Sequence, residues 1–388
     1  MTNGYYVGMD VHQRTTSLCL MDGEGAVIRE WKTRSAPKEL DELHRELGRL
    51  CGDIPVTLGL EASTAGKATF QHLRKLGRNV VMAHPRALRA VTTSETKTDS
   101  NDARTLAHLL RLNFFPRAYV PEEPIERLRT LVRLREEQVD KLRRAKIQVR
   151  TLLLKHHLQH ESLRYDDIFG VQALHWLKGI DLPDPYAQRQ LVLLLEEGAL
   201  YTRQVEELKR ELARVGVEEK TVGILQSVPG IDYVLALTIL AEVGDVHRFP
   251  NRRKFAAYCG LVPKNRDSGE VVGRHSKLRH GSSRLKWAMM VAVQAIRKSG
   301  KGRFALLLKR LEKRIGTPKA LAAVAHRLAF TVYGLWKTGT IYDEVSAQQY
   351  AWKRRRLRRH AAEAPGAPNP AEAVERMLKH IGAVGVGT

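Results

Sequence analysis

The chain has 388 residues, and 65 Lys and Arg stand against 42 Asp and Glu, a formal charge of +23 that points to a polyanionic partner, most simply nucleic acid. Hydrophobic residues make up 43%, enough for real cores and against a wholly disordered chain. The apolar runs fall far short of the roughly 20 residues that span a bilayer. No signal segment opens the chain, and Cys19, Cys51 and Cys259 are too few and scattered for a disulfide framework or zinc module, so a cytoplasmic protein of two or three domains is expected.

Residues 1–120 read as α/β. Tyr5 to Met9 is a short apolar strand ending at Asp10. Ser17 to Met21 and Val27 to Trp31 are two more, joined by Asp22-Gly23-Glu24-Gly25, a composition suited to a tight hairpin. Leucines at 40, 43, 47 and 50 repeat at helical spacing, and Val56 to Leu60 is strand-like and ends at Glu61. A helix near Lys67 to Leu76 leads to a strand from Asn79 to Ala83. Three successive strands followed by helix–strand alternation predict a mixed sheet covered by helices, in an order that matches a ribonuclease-H-like (RuvC-like) fold.

Residues 121–220 change character. Leu128, Leu131, Leu134, Val139, Leu142 and Val149 recur among charged residues, and Leu191, Leu194, Leu195, Val205, Leu208, Leu212 and Val215 repeat the pattern after a break at Leu182-Pro183-Asp184-Pro185. Two long amphipathic helices folding back on each other follow, either as a coiled-coil arm or as an ordinary helical subdomain. Residues 221–345 read as mainly helical around a basic, Gly-rich loop. Residues 346–388 form a basic and Pro-rich tail, with a dense cationic run from Lys353 to Arg359.

Four carboxylates carry the first chemical signal. Asp10 and Glu61 close strands, and Asp99 and Asp102 lie three apart at the start of a helical pattern, so both project from one face. Four negative groups gathered by the sheet would need cations, and hard oxygen ligands suit Mg²⁺ or Mn²⁺ in phosphoryl transfer. The plain alternative is that Asp99 and Asp102 serve a helix N-terminus and that the other two sit at loop edges.

The second signal is Asn265-Arg266-Asp267-Ser268-Gly269 and the cations around it, Lys264, Arg266, Arg274, Lys277 and Arg279. A serine beside glycine on a basic loop is placed to approach and attack a phosphate. On spacing alone the favoured reading is a polar turn whose cations only hold nucleic acid. Arg284 and Lys286 continue the basic segment, and the Pro229-Gly230 turn between two helices offers backbone N–H groups to a phosphate or is a simple helix junction. His156 and His160, at i and i+4, lack a carboxylate in phase and read as solvated.

Gly8-Met9-Asp10, Leu60-Glu61-Ala62-Ser63 and Lys97-Thr98-Asp99-Ser100-Asn101-Asp102-Ala103-Arg104 together resemble the DEDD motif of one group of bacterial insertion-sequence transposases. Ser227-Val228-Pro229-Gly230-Ile231, Gly260-Leu261-Val262-Pro263, Asp267-Ser268-Gly269 and Gly281-Ser282-Ser283-Arg284-Leu285-Lys286 resemble that group's C-terminal transposase domain, in the same order. The group is the IS-one-ten class of bridge-RNA-guided recombinases. The resemblance implies that Asp10, Glu61, Asp99 and Asp102 are metal ligands and that Ser268 attacks the phosphodiester, holding cut DNA as a phosphoserine. It also implies double-stranded donor and target DNA, a structured guide (bridge) RNA, and a homo-oligomer, dimer to tetramer, with composite sites. The helical arm of residues 121–220 would help to build that assembly.

Two other readings stay open. A RuvC-like structure-specific nuclease would use the carboxylates and water without Ser268. A non-catalytic nucleic-acid-binding protein would use neither, its acidic residues being structural.

Overall fold

The computed structural model describes residues 4–91, 99–262, 264–265, 275–276, 281–344 and 346–364, with backbone alone at 99–100, 264–265 and 275–276. The chain divides into two compact units, Met1–Val120 and Pro121–Thr388.

In the first unit, β1 (Tyr5–Val11), β2 (Thr15–Met21) and β3 (Val27–Arg34) form an antiparallel meander. The β2–β3 turn is fixed by Asp22, whose Oδ1 accepts the N–H groups of Glu24, Gly25 and Ala26 at 2.9, 2.8 and 2.9 Å. Those bonds, the Ala26 one foremost, hold its carboxyl below the usual range. After α1 (Pro37–Cys51), β4 (Val56–Glu61) returns parallel to β1; after α2 (Thr64–Lys75), β5 (Asn79–Ala83) lies parallel to β4. The strand order is β3-β2-β1-β4-β5, a mixed five-stranded sheet. Two more helices follow, α3 (Pro85–Val91), which the sequence pattern did not announce, and α4 (Asp99–Arg111).

Strand alternation sends Val7, Met9, Leu18, Leu20, Leu58 and Leu60 to one face, where Leu40, Leu43 and Leu47 of α1 and Phe70 and Leu73 of α2 bury them. The opposite face is covered by α4: Ala103 and Ala107 pack on Cys19 and Met21, and Leu106 and Leu110 join Ala83, Leu88 and Phe115.

The second unit is built around α5 (Glu123–Lys155) and its partner α8 (Pro185–Glu218), with α6 (Gln159–Ser162) and α7 (Val171–Lys178) between them. The Pro-containing break is the start of α8: Pro185 takes its first turn and Asp184 caps it, accepting the Tyr186 N–H at 3.0 Å. At the far end Ala145, Val149, Leu152 and Leu153 make a core with Phe169, Ala173, Leu177 and Leu191. At the near end Leu128, Val132, Leu212 and Ala213 join a different and larger core, shared with the helices C-terminal to the pair.

That larger core is assembled by α9 (Lys220–Ser227), α10 (Tyr233–Val243), α11 (Arg252–Tyr258), α12 (Ser283–Ser299), α13 (Arg303–Ile315) and α14 (Thr317–Thr338). Every residue of α10 is buried, the pattern of a helix surrounded by others. Between α11 and α12, β6 (Lys264–Asn265) pairs antiparallel with β7 (His275–Ser276). The run from Lys353 to Arg359 lies within a helix, α15 (Ala347–Ala362). No described helix is long and apolar enough to cross a membrane.

Candidate active site

β1 and β4 are parallel and in register at Met9 and Leu60, so Asp10 and Glu61 follow at the same end of the sheet. Met9 and Leu60 point into the α1–α2 core. Alternation therefore turns Asp10 and Glu61 to the face that α4 covers. Glu61 is held by its own backbone: its carbonyl accepts the Ser63 N–H at 2.9 Å, while Ser63 Oγ caps α2 by accepting the Gly66 N–H at 2.9 Å.

The approach of α4 depends on Gly8. A Cβ at this position would lie 1.9 Å from the Ala103 carbonyl oxygen and 2.5 Å from the Ala107 nitrogen, so helix backbone rests directly on strand backbone. At the other end of α4 the Arg111 guanidinium stands against Gly25, in the β2–β3 turn. The helix thus runs antiparallel to β1, with its first turn, which carries Asp99 and Asp102, toward the end of the sheet where Asp10 and Glu61 lie. In the next turn Arg104 anchors the helix to β3 through a two-pronged pair with Glu30, at 2.9 and 3.0 Å. Below it, burial pushes the Cys19 thiol up to about 11, an inert sulfur beneath the helix.

Asp102 is exposed, Glu61 partly buried, and the Asp10 carboxylate 18% exposed. Oδ2 of Asp10 accepts a hydrogen bond from His12 Nε2 at 3.0 Å. His12 was missed in the sequence; its signal is the i, i+2 spacing from Asp10, which gives both residues one face of an extended segment. Among the described residues no three His, Cys, Asp or Glu side chains stand close enough together to hold a metal ion, and the Asp99 side chain lies outside them. The donor set at this end of the sheet is nonetheless rich in carboxylate oxygens, a chemistry that fits Mg²⁺ or Mn²⁺ rather than a softer metal.

Ser268 lies outside the described residues, as do Arg266, Arg274, Lys277 and Arg279, while Lys264 is seen by its backbone alone, paired with Ser276. The described residues on either side of it are held together by direct contacts. Ser282 donates its N–H to the Tyr258 carbonyl at 2.7 Å. Gly281 (φ +131°) lies so near Gly260 that a Cβ would come within 2.4 Å of the Gly260 nitrogen.

Beneath that closure is Glu242, a buried carboxylate and the one ionised side chain on the buried helix α10, and a second residue missed in the sequence. Its Oε1 accepts from Arg133 of α5 at 3.0 and 3.3 Å, and its Oε2 lies 3.5 Å from Ser282 Oγ. The Tyr258 hydroxyl donates to the Glu242 carbonyl at 3.3 Å. One acidic residue thus ties together α5, α10, α11 and the start of α12, the two last being the helices on either side of residues 259–282.

The remaining expected contacts fall in different settings. Gly230 (φ +77°) packs on α12, where a Cβ would meet the Ala292 carbonyl oxygen at 2.2 Å, so close packing already demands a glycine there. Arg284 is ion-paired with Glu136 of α5 at 2.6 Å, and Lys286 is partly exposed on the first turn of α12.

Comparison with known proteins gives two matches, the first of which spans the N-terminal unit and continues through α5. A DEDD transposase model of IS110 elements matches residues 7–158, which contain all four carboxylates, and the model described as Transposase IS116/IS110/IS902 family matches residues 222–306, which contain Ser268. The chain belongs to the IS110 family of transposases. Relatives of this IS110-family chain include the y4qE protein of Sinorhizobium fredii, 28% identical over 72% of the chain and 69% of its own length. The transposase for insertion sequence element IS1111A of Coxiella burnetii is 24% identical over 85% of the chain and 88% of its own length. The IS1533 transposase of Leptospira borgpetersenii is 24% identical over 65% and 73%. The protein is accordingly an insertion-sequence transposase, an enzyme that acts on DNA.

Proposed function

We propose that this IS110-family transposase excises and inserts DNA by serine-mediated strand exchange, at sites chosen by a structured guide RNA. The observation that carries the reading is the sheet end where Asp10 and Glu61 share a face beneath the first turn of α4, in a chain whose second unit matches the transposase model across Ser268. The order β3-β2-β1-β4-β5 supports an RNase-H-like assignment for the first unit.

In this reading Ser268 Oγ attacks the scissile phosphorus. The bond from phosphorus to a deoxyribose oxygen breaks, that oxygen takes up a proton, and the cut strand is held as a phosphoserine ester. A hydroxyl end of the exchanged strand then attacks the same phosphorus. Ser268 Oγ leaves and regains its proton, so phosphodiesters are neither gained nor lost and no nucleotide hydrolysis is required. Asp10, Glu61, Asp99 and Asp102 would hold the divalent cation, which when bound supplies Lewis-acid polarisation of phosphate oxygen. His12 orients the Asp10 carboxylate, and the Glu242–Arg133 junction fixes the ends of the serine loop. Lys264, Arg266, Arg274, Lys277, Arg279 and Lys286 hold the phosphate backbone. The α5–α8 pair serves as an arm in a homo-oligomer, dimer to tetramer, with composite sites, acting in the bacterial cytoplasm.

The test is excision and strand transfer on element-end DNA with Mg²⁺ and the co-expressed RNA. Asp10→Asn, Glu61→Gln and Ser268→Ala should each abolish it. Full cleavage by Ser268→Ala, with the carboxylates still required, would replace strand exchange by water-driven cleavage in a structure-specific nuclease. Unchanged activity in all three would leave a nucleic-acid-binding protein.

A further inference from the structure

The cationic run of α15 divides its residues between two faces at helical spacing. Tyr350, Lys353, Arg354, Leu357 and His360 form the docked face. Leu357 is fully buried, and the Tyr350 hydroxyl donates to the Gly223 carbonyl at 3.1 Å. Lys353 Nζ donates to the carbonyls of Gln226 and Val228 at 2.7 and 2.9 Å, satisfying the end of α9. Arg354 reaches Gln226 Oε1 at 3.1 Å and the Val217 carbonyl at 3.3 Å, and His360 Nδ1 meets the Tyr233 hydroxyl at 2.8 Å. Lys353 and Arg354 are thus consumed in attaching the helix.

Trp352, Arg355, Arg356 and Arg359 fall at i, i+3, i+4 and i+7 on the outer face, with Arg358 beside Arg355. Trp352 is 58% exposed, an unusual position for a ring of that size, and the Arg356 guanidinium lies 5.7 Å from its centroid. The helix contains no acidic residue. Glu363, just past it, lies 3.9 Å from Arg359 and 3.7 Å from Arg210. Arg355 and Arg358 are exposed.

We infer that this outer face binds a single-stranded segment of nucleic acid, its phosphates on Arg355, Arg358 and Arg359 and an unpaired base stacked on Trp352. Arginines alone would hold any phosphate backbone. An exposed indole beside them offers a π-face, which an unpaired base can cover and a base inside a duplex cannot. The chemistry proposed for Ser268 does not require this surface, and binding alone reads it.

The test is fluorescence anisotropy of the full chain with one short labelled sequence, as ribo strand, deoxy strand and duplex. Arg355→Ala/Arg358→Ala/Arg359→Ala should weaken single-strand binding and reduce the slope of log K against log salt by about 2, at roughly 0.7 per phosphate contact. Trp352→Ala should weaken single-strand binding at least about fivefold, the lower end for stacking on an aromatic ring, and leave duplex binding unchanged. The control is the equally charged triple Lys298→Ala/Arg310→Ala/Lys313→Ala on α12 and α13, with thermal unfolding to show that all variants are folded. Equal losses in the two triples, or a Trp352 effect that is absent or equal for single strand and duplex, overturn the inference.

Discussion

Replacing Gly8 by alanine adds one methyl group where the backbone of α4 rests directly on the backbone of β1. The new Cβ would sit 1.9 Å from the Ala103 carbonyl oxygen and 2.5 Å from the Ala107 nitrogen. Both atoms are helix backbone and cannot rotate away. Restoring ordinary contact requires α4 to retreat about 1.5 Å, which loosens Ala103 and Ala107 from Cys19 and Met21 and places the cost near the upper end of overpacking, about 3 kcal/mol. Gly59→Ala is the natural comparison, because the atoms nearest its Cβ would be side-chain ends, Leu110 Cδ1 at 2.7 Å and the Phe115 ring at 2.9 Å. Those groups can give, and about 1 kcal/mol is expected. At roughly 4 °C per kcal/mol for a unit of this size, calorimetry should show the N-terminal transition lowered by about 12 °C in Gly8→Ala and about 4 °C in Gly59→Ala. The α4 shift also moves Asp102 relative to Asp10, so strand transfer should fall by at least about 100-fold at temperatures where Gly8→Ala is fully folded. Melting temperatures for the two variants within about 2 °C of each other would refute the packing argument.

Three further outcomes concern the second unit. Arg133→Ala leaves the buried Glu242 carboxylate without its cation and should cost about 3 kcal/mol, whereas Glu242→Gln keeps a hydrogen-bonding group and should cost about 1 kcal/mol. Denaturant unfolding that reverses this order would show that Arg133 does not compensate the carboxylate. Burial pushes the Lys353 ammonium from 10.5 down to about 8. Between those values the unfolded chain keeps a proton that the folded chain has released, so the wild type should gain stability relative to Lys353→Met as pH rises, approaching about 3 kcal/mol in all. Parallel pH profiles for the two proteins would contradict a buried, charge-penalised lysine. Burial also holds the Cys259 thiol far above its usual range, so in the native protein at neutral pH it should resist alkylating reagents until unfolding; rapid labelling would place it elsewhere.

How far the sequence could be read depended on the range of the interaction. The apolar run from Tyr5 to Met9 predicts the first strand; the alternation within it, which separates Val7 and Met9 in the core from Gly8 and Asp10 on the site face, was also local and could have been read, because side-chain direction follows from neighbouring residues. The helical leucines of α1 and the Pro185 break work in the same local way. The role of Gly8 was invisible because it is defined by Ala103, which reaches it only through the fold. Glu242 looked like a stray carboxylate in a mainly apolar helix, since its partner Arg133 is 109 positions away. His12 was within reach, but only if β1 is carried through to Val11, beyond the expected strand end. In the run from Lys353 to Arg359 the charge was plain. Its division into docking and outward-facing residues appears only when helical phase is applied, which separates Lys353 and Arg354 from Arg355 and Arg358.

Covalent capture at Ser268 is the most direct test of strand exchange. The transposase, co-purified with its RNA, would be incubated with Mg²⁺ and element-end DNA, quenched by denaturation, digested and examined by mass spectrometry beside Ser268→Ala. Serine-mediated exchange predicts a nucleotide joined through phosphate to the peptide that carries Ser268, and no such species in the variant. Cleaved DNA in equal amounts from both proteins, with no adduct in either, would contradict it and assign cleavage to water.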